Sequence, residues 1–278
     1  MSDYEWPAGK RAALCVTFDF DGESPFLWRR RNDLPVEISE LEQRRYGPRR
    51  GVHHVLDTLD RLGITATFFV PGWIAERYRG AVEAVHAAGH ELALHGWCHE
   101  PPGQLSTTDL RDTLRRAGDL LADITGSWPA GYRSPSFALT PAAFDVLTEL
   151  GLRYDSSLMG DDRPYRIGGL VEVPVDWATD DAIFYRYTGG EARPPVPAAP
   201  LGDAWADEIR AALACGSLCH LTMHPWLSGR PARVRRLAEL LAWARTERDL
   251  WIGPVRDVAD HHAAHDTAPA RPIDWPLP

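Results

Sequence analysis

Two aspartates follow the first apolar run of the sequence at a spacing that suits catalysis. Residues 12–18 are short, β-branched and aromatic and lack a helical period, which predicts a buried strand. Asp19 and Asp21 come next, and side chains two residues apart on a strand point to the same face. Crowded carboxylates favour a divalent cation, with one aspartate as ligand and the other as base. Two solvated carboxylates at a strand end are the alternative.

A pair of histidines ends a later apolar run. His95 closes the predicted strand 91–95, and His99 follows four residues on. Two imidazoles at this spacing can converge on one cation, and a carboxylate from a neighbouring strand completes a facial ligand set. Such a set leaves coordination positions open for water and substrate. The histidine pair alone is a weak signal; together with the two aspartates it predicts a catalytic metal site.

Three further polar residues stand at or near predicted strand ends. Arg133 is either a surface ion-pair partner or the residue that holds a base carboxylate ionised through a bidentate bond. His224 is either a structural histidine or a general acid for a departing amine. Asp176 offers an acidic partner that would raise the pKa of that histidine.

Alternating strands and helices must position these residues. Strands are predicted at residues 12–18, 65–70, 91–95, 131–134, 154–157, 170–175, 217–223 and 250–252, with helices between most of them. Repeated strand–helix units imply parallel pairing, and reactive residues at the carboxyl ends of strands are typical of a (β/α) barrel. No early Gly-x-Gly-x-x-Gly indicates a dinucleotide site. We expect one domain, residues 1–278.

Two long polar segments interrupt this alternation. Residues 22–50 are rich in arginine and are predicted to form a loop arm, which serves either as a lid over the pocket or as an oligomer contact. Residues 189–202 are rich in proline and are also predicted to be loop. The long arm at residues 22–50 favours a closed pocket or an oligomer contact over an open polymer groove.

Charge and composition exclude several classes of function. The chain has 278 residues, a net charge of −9 and a pI near 5.6, which argues against binding to nucleic acid or to an anionic membrane surface. No apolar run approaches the roughly 18 residues that a membrane span needs. The first residues lack the pattern of a signal peptide, so we expect a cytoplasmic protein with reduced cysteines.

Five motifs, in order, resemble those of the polysaccharide deacetylase (NodB-homology, carbohydrate esterase 4) family. They are residues 17–21, 95–99, 133–137, 175–177 and 221–224, and the match covers nearly the whole chain. The resemblance implies an α/β fold, a distorted (β/α)7-8 barrel. It also implies Zn²⁺, or another divalent metal such as Co²⁺, Mn²⁺ or Ni²⁺, on three ligands: Asp21, His95 and His99. By the same resemblance Asp19 corresponds to the catalytic base, His224 to the acid, Arg133 to the residue that orients the base and Asp176 to the partner of the acid.

One departure from the family pattern points to a branch. The family's first motif usually has adjacent aspartates, whereas Phe20 separates them here. Residues 49–51 and 154–165 are similar to those of cofactor-independent allantoinases and cyclic imide hydrolases, and of cytoplasmic deacetylase-like proteins. That branch implies a homo-oligomer. Asp155, Asp161 and Asp162 either support the pocket or cap loops.

The predicted function is metal-assisted hydrolysis of a carbon–nitrogen bond other than a peptide bond. The substrate is a small molecule or sugar, either an N-acetylated sugar or a cyclic amide such as an imide or ureide. The alternative is a barrel that binds metal or carbohydrate without catalysis. That alternative would predict loss of Asp19 or His224, and both are present.

Overall fold

The computed structural model describes residues 4–32, 38–188 and 193–273. The strands are β1 (Ala12–Asp19), β2 (Thr67–Val70), β3 (Glu91–Leu94), β4 (Gly131–Tyr132), β5 (Tyr154–Asp155), β6 (Tyr165–Ile167), β7 (Leu170–Glu172), β8 (Leu218–Met223) and β9 (Leu250–Ile252). The α-helices are α1 (Ser24–Arg29), α2 (Ile38–Tyr46), α3 (Val52–Leu62), α4 (Gly72–Arg77), α5 (Arg79–Ala87), α6 (Thr107–Thr125), α7 (Pro141–Glu149), α8 (Asp181–Tyr185), α9 (Ala198–Cys215), α10 (Pro225–Ser228), α11 (Pro231–Ala244) and α12 (Val255–His265).

The strands form one curled sheet in the order β6-β7-β5-β4-β3-β2-β1-β8, with β9 paired to the start of β1. All pairs are parallel except β6 with β7. After β7 the chain returns to the free side of β8, where Asp180 forms a parallel bridge with Thr222. The curled, largely parallel sheet with helices between its strands confirms the distorted (β/α) barrel.

Strand β1 shows how the sequence creates two apolar layers. Every residue of β1 is buried, as expected for a central parallel strand covered on both faces. Leu14, Val16 and Phe18 belong to the core beneath the helices, whereas Ala13 and Cys15 belong to the core inside the curl. The alternation of side chains along a strand therefore places Thr17 and Asp19 on the inner face as well. Asp19 ends this row at the carboxyl rim of the barrel.

The prediction of a loop at residues 22–50 is wrong for most of the segment. It contains α1, α2 and a π-helical turn at Gly47–Gly51, while residues 33–37 lie outside the described part of the chain. Helix α2 was missed because it is polar; an i,i+4 ion pair between Glu40 and Arg44 supports it, in place of an apolar stripe. In the second polar segment α9 begins at Ala198, so the predicted loop ends earlier than expected; residues 189–192 are not described.

The arm packs closely on the short helix α10, which follows β8. A Cβ added to Gly51 would lie 2.0 Å from the carbonyl oxygen of Pro225, and one on Gly47 would lie 3.0 Å from Cβ of Trp226. Two glycines of the π-helical turn thus let the arm backbone approach α10. This contact places α2 next to the carboxyl end of β8.

Two further predictions can be compared with the described residues. Within them, no helix combines the length and apolarity that a bilayer span requires. Cys15, Cys98, Cys215 and Cys219 form no disulfide bond among the described residues.

Candidate active site

Three side chains converge at the carboxyl end of β1 and β3. Asp21, His95 and His99 each offer a ligand atom, and these atoms lie within 4.8 Å of one another. His95 Nε2 is 3.3 Å from Asp21 Oδ1, and His99 Nε2 is 3.6 Å from Asp21 Oδ2. The structure therefore brings together the three predicted metal ligands.

A tight turn after β3 aims both imidazoles at Asp21. His95 Nδ1 donates a hydrogen bond to the carbonyl oxygen of Arg133 at 2.8 Å, which leaves Nε2 free to face the carboxylate. The Glu100 carboxylate accepts bonds from the backbone N–H groups of Trp97 and Cys98 at 2.6 and 2.5 Å. Within this turn His99 adopts a left-handed φ of 62°, which is strained for a residue with a Cβ.

The unpaired atoms of the cluster fit a divalent cation. Asp21 Oδ1 and His95 Nε2 are buried and have no hydrogen-bond partner among the described residues, an arrangement that is costly unless a ligand satisfies it. Two imidazoles with one carboxylate form a donor set that suits Zn²⁺ and similar ions and leaves positions open.

The charges of the cluster also favour a cation. Burial raises the pKa of Asp21, but His99, His95 and His224 outweigh it, so that this pKa lies below its ordinary value. Burial lowers the pKa of His99 to about 4. Although burial lowers the pKa of His95, Asp19 and Asp21 outweigh burial and raise it. The two carboxylates thus favour positive charge at this point, which a divalent ion could supply in place of a proton.

Asp19 is held by a fully buried arginine. Arg133 Nη1 donates to Asp19 Oδ1 at 2.7 Å and to Thr17 Oγ1 at 2.9 Å. Its Nε donates to the carbonyl oxygen of Ser156 at 3.0 Å, and its Nη2 to Ser156 Oγ at 3.1 Å and to His220 Nε2 at 2.7 Å. The guanidinium is thereby fixed on every side, and it fixes Asp19 in turn. The other oxygen of Asp19 lies 3.7 Å from His95 Nε2, beside the three candidate metal ligands.

His220 was not predicted as a site residue. Its Nδ1 donates to the carbonyl oxygen of Pro174 at 3.0 Å, so Nε2 is the acceptor for Arg133. Burial and the neighbouring Arg133 lower its pKa well below the ordinary value, which keeps the ring neutral. The available signal was its position on β8: His220, Thr222 and His224 are spaced by two and share the inner face.

His224 follows β8 and is oriented by an aspartate at the start of α8. Its Nδ1 donates to Asp181 Oδ1 at 2.7 Å, and its backbone N–H donates to Asp181 Oδ2 at 3.0 Å. Ser228 Oγ donates to the same Oδ2. Burial opposes the charged ring, but Asp181 outweighs it and raises the pKa of His224 to about 10. Nε2 of His224 points toward the candidate metal ligands, 3.5 Å from Asp21 Oδ2.

The prediction that Asp176 partners His224 is wrong. Asp176 is exposed, and its Oδ1 accepts a hydrogen bond from the backbone N–H of Ala178 at 2.7 Å, capping a short helical turn. The chain returns to β8 only at Asp180, four residues later, and this brings Asp181 to the histidine. Asp180 is buried beside it, 3.9 Å from His224 Nδ1, and burial raises its pKa to about 7.

The other aspartates that the sequence singled out lie away from this site. Asp161 Oδ1 accepts hydrogen bonds from the backbone N–H groups of Asp162 and Arg163, which is loop capping. Asp155 is buried against Glu172. None of Asp155, Asp161 and Asp162 lines the cavity that lies above the candidate metal ligands.

A cavity of about 360 Å³ opens above these residues. Asp19, Asp21, His99 and His224 contribute to it at the catalytic end. Its other walls include seven aromatic or cationic side chains: Trp28, Phe137, Trp177, Trp226, Arg29, Arg44 and Arg186. Several come from α1 and α2, so the arm lines the pocket of its own chain. The volume suits a small molecule better than a polymer segment.

Comparison with known proteins agrees with this architecture. Residues 46–154 match the family model described as polysaccharide deacetylase. The chain is 32% identical over 157 residues to a peptidoglycan deacetylase-like protein of Gibberella zeae. The match covers 56% of this chain and 46% of the relative, so the chain spans less than half of that protein's length.

Two solved structures cover nearly the whole chain. A Mycobacterium smegmatis crystal structure, provisionally described as that of a polysaccharide deacetylase, shares 33% identity at a TM-score of 0.92 and covers 100% of this chain and 99% of its own. A PuuE allantoinase shares 23% identity at a TM-score of 0.81, covering 95% and 94%. The second likeness shows a shared fold.

Proposed function

We propose that this chain, which belongs to the polysaccharide deacetylase family, is a metal-dependent hydrolase of a carbon–nitrogen bond in a small amide. One observation carries the proposal. A donor set with two unpaired buried atoms, Asp21 Oδ1 and His95 Nε2, lies between a carboxylate held by arginine and an imidazole held by a carboxylate.

Asp21, His95 and His99 would hold the divalent ion, for which Zn²⁺ is our first choice. When bound, it polarises the substrate carbonyl and lowers the pKa of water.

The residues of the chain supply the proton transfers. Asp19 accepts a proton from the attacking water while the water oxygen adds to the carbonyl carbon. Arg133 keeps the Asp19 carboxylate ionised and oriented. His224 carries a proton at neutral pH because Asp181 raises its pKa. Its Nε2 donates this proton to the nitrogen as the carbon–nitrogen bond breaks, and Asp181 stabilises the ring throughout.

The shape of the cavity supports a small cyclic amide, such as an imide or ureide, as substrate. Aromatic walls and the arm enclose a space of about 360 Å³. The shared fold with an allantoinase is consistent with ring opening. An N-acetylated sugar is the second candidate, supported by the match to the peptidoglycan deacetylase-like relative.

Hydrolysis of two substrate panels by metal-replete protein tests the proposal. The first contains small cyclic imides and allantoin, with ring opening as the readout; the second contains N-acetylglucosamine and its oligomers, with acetate release as the readout. We expect ring opening that is lost on chelation and restored by Zn²⁺. Acetate release alone would favour the second candidate, and no turnover in either panel would contradict the proposal.

A further inference from the structure

One cation of the cavity wall is buried. Arg44 lies on α2 and lines the same cavity as Asp19, Asp21 and His224, yet its exposed fraction is only 2%. Arg29 and Arg186 also line the cavity, but both are exposed to solvent, which weakens their electrostatic effect. A buried guanidinium is costly unless it has partners, so the partners of Arg44 matter.

The partners that Arg44 has leave one edge of its guanidinium unused. Nε and Nη2 both donate to a single oxygen, Glu40 Oε1, at 3.2 and 3.0 Å. That oxygen also accepts a 3.4 Å bond from Arg29, so one carboxylate serves two arginines. Across the described ranges, Nη1 of Arg44 has no hydrogen-bond acceptor. The guanidinium lies over the ring of Trp226, 4.7 Å from its centroid, which holds its plane at the wall.

The carboxylates of the cavity wall are engaged with other groups, so Glu40 is the partner that Arg44 has. Asp19 is paired with Arg133, and Asp180 lies 3.9 Å from Nδ1 of His224, which is itself paired with Asp181. A divalent ion on Asp21 would add positive charge at the catalytic end. The buried positive wall therefore favours a ligand that brings a negative charge of its own.

We propose that Arg44 binds a carboxylate that the substrate carries away from its scissile amide, so that the preferred substrates are small amides bearing a carboxylate. A planar guanidinium with a free edge matches carboxylate geometry. This inference rests on the proposed hydrolase function, and it adds the charge class of the substrate. The competing interpretation is that Arg44 only packs α2 against α10.

Matched substrates that differ by the carboxylate test the assignment. Dihydroorotate and dihydrouracil share a cyclic ureide, and N-acetylmuramate and N-acetylglucosamine share an acetamide. We expect kcat/KM of the Zn²⁺-loaded enzyme to favour the carboxylate member of its active pair at least about tenfold. Arg44→Met should reduce that preference by about tenfold to a hundredfold, the range for a charged hydrogen bond, mainly through KM.

Neutral substrates and a second arginine serve as controls. The neutral member of each pair should change less than about threefold in Arg44→Met, because it makes no charged contact there. Arg49→Met removes an arm arginine that pairs with exposed Glu42 and does not line the cavity, and it should leave the preference unchanged. Equal losses for both members of a pair, or no preference in the wild type, would overturn the proposal.

Direct binding separates this inference from the proposed function. Orotate and uracil resist ring opening, so calorimetry on the Zn²⁺-loaded protein measures their affinities without turnover. Tighter binding of orotate that weakens at least about tenfold in Arg44→Met would sustain the carboxylate site even if no amide is hydrolysed. Orotate bound equally by both proteins would refute it.

If Arg44→Met does not fold, Arg44→Lys carries the test. A lysine ammonium cannot bridge Glu40 and a carboxylate in one plane, so the carboxylate preference should fall several-fold. An unchanged preference in Arg44→Lys would overturn the proposal.

Discussion

Two pairs of buried carboxyl groups lie within the same curled sheet, and their surroundings differ in kind. Asp19 and Asp21 face Arg133 and a group of histidines. Asp155 on β5 and Glu172 on β7 stand opposite one another in register, and no cation contacts either of them in the described part of the chain. The difference decides whether a buried carboxyl group stays ionised.

The surroundings of the pair without a cation favour its protonated form. Burial and the neighbouring Asp155 raise the pKa of Glu172 well above its ordinary value, and burial raises that of Asp155. The two groups accept hydrogen bonds from Ser157 and Leu158, and Ser157 Oγ accepts one from the backbone N–H of Ser134. This pair therefore stabilises the loop after β5 and, through Ser157, the backbone after β4. Burial alone does not distinguish a candidate catalytic carboxylate, whereas burial beside cations favours its ionised form.

The largest effect on catalysis should come from a substitution in the carboxylate pair that faces cations, Asp19 and Asp21. Asp19→Asn keeps the shape of the side chain but removes the base, so we expect kcat to fall at least about a hundredfold. Bound metal, measured by elemental analysis, should remain, since Asp21, His95 and His99 are intact. Retained turnover in a metal-replete Asp19→Asn sample would remove Asp19 from the role of base.

The aspartates near His224 provide a smaller and sharper contrast. Asp181→Asn weakens the bond that orients and charges His224, and kcat should fall roughly tenfold to a hundredfold. Asp176→Asn alters an exposed turn cap, and kcat should stay within about twofold. The reverse order of effects, measured side by side, would restore Asp176 as the partner.

This contrast shows where sequence reasoning succeeds and where it ends. The ends of β1, β3, β4 and β8 could be predicted because apolar runs stop at polar residues, and parallel pairing brings such ends to one rim. The partner of His224 could not be predicted, because it depends on where the chain after β7 returns to β8. The observed path of the chain brings Asp181, and not Asp176, to this histidine. His220 was not predicted as a site residue because it lies within an apolar run that was interpreted as a buried strand. Helix α2 of the arm was missed because an ion pair supports it in place of an apolar stripe.

Substitution of His220 tests whether this histidine supports Arg133, the cation that pairs with Asp19. His220→Leu removes one of the two acceptors of Arg133 Nη2 and leaves one buried N–H of this charged group without a partner, while the bond to Ser156 Oγ remains. We expect the free energy of unfolding to fall by about 1–3 kcal/mol in urea denaturation. kcat should fall less than in Asp19→Asn, since Thr17 and Ser156 still hold the guanidinium. Unchanged stability would show that the histidine does not support Arg133.

The smallest effect on catalysis should come from the pair that holds a proton. Above the ordinary pKa of 4.5, Glu172 is ionised in the unfolded chain and protonated in the folded one. The folded state therefore binds more protons, and wild-type stability falls as pH rises toward the folded pKa, by about 1.4 kcal/mol per pH unit at most. Glu172→Gln cannot ionise, so its stability relative to wild type should rise as the pH increases above the ordinary pKa of a glutamate. Its kcat should stay within about twofold, because Glu172 does not line the cavity. Urea midpoints at several pH values measure the difference. A difference that is constant with pH would mean that Glu172 is ionised in the fold, and the contrast between the two pairs would then fail.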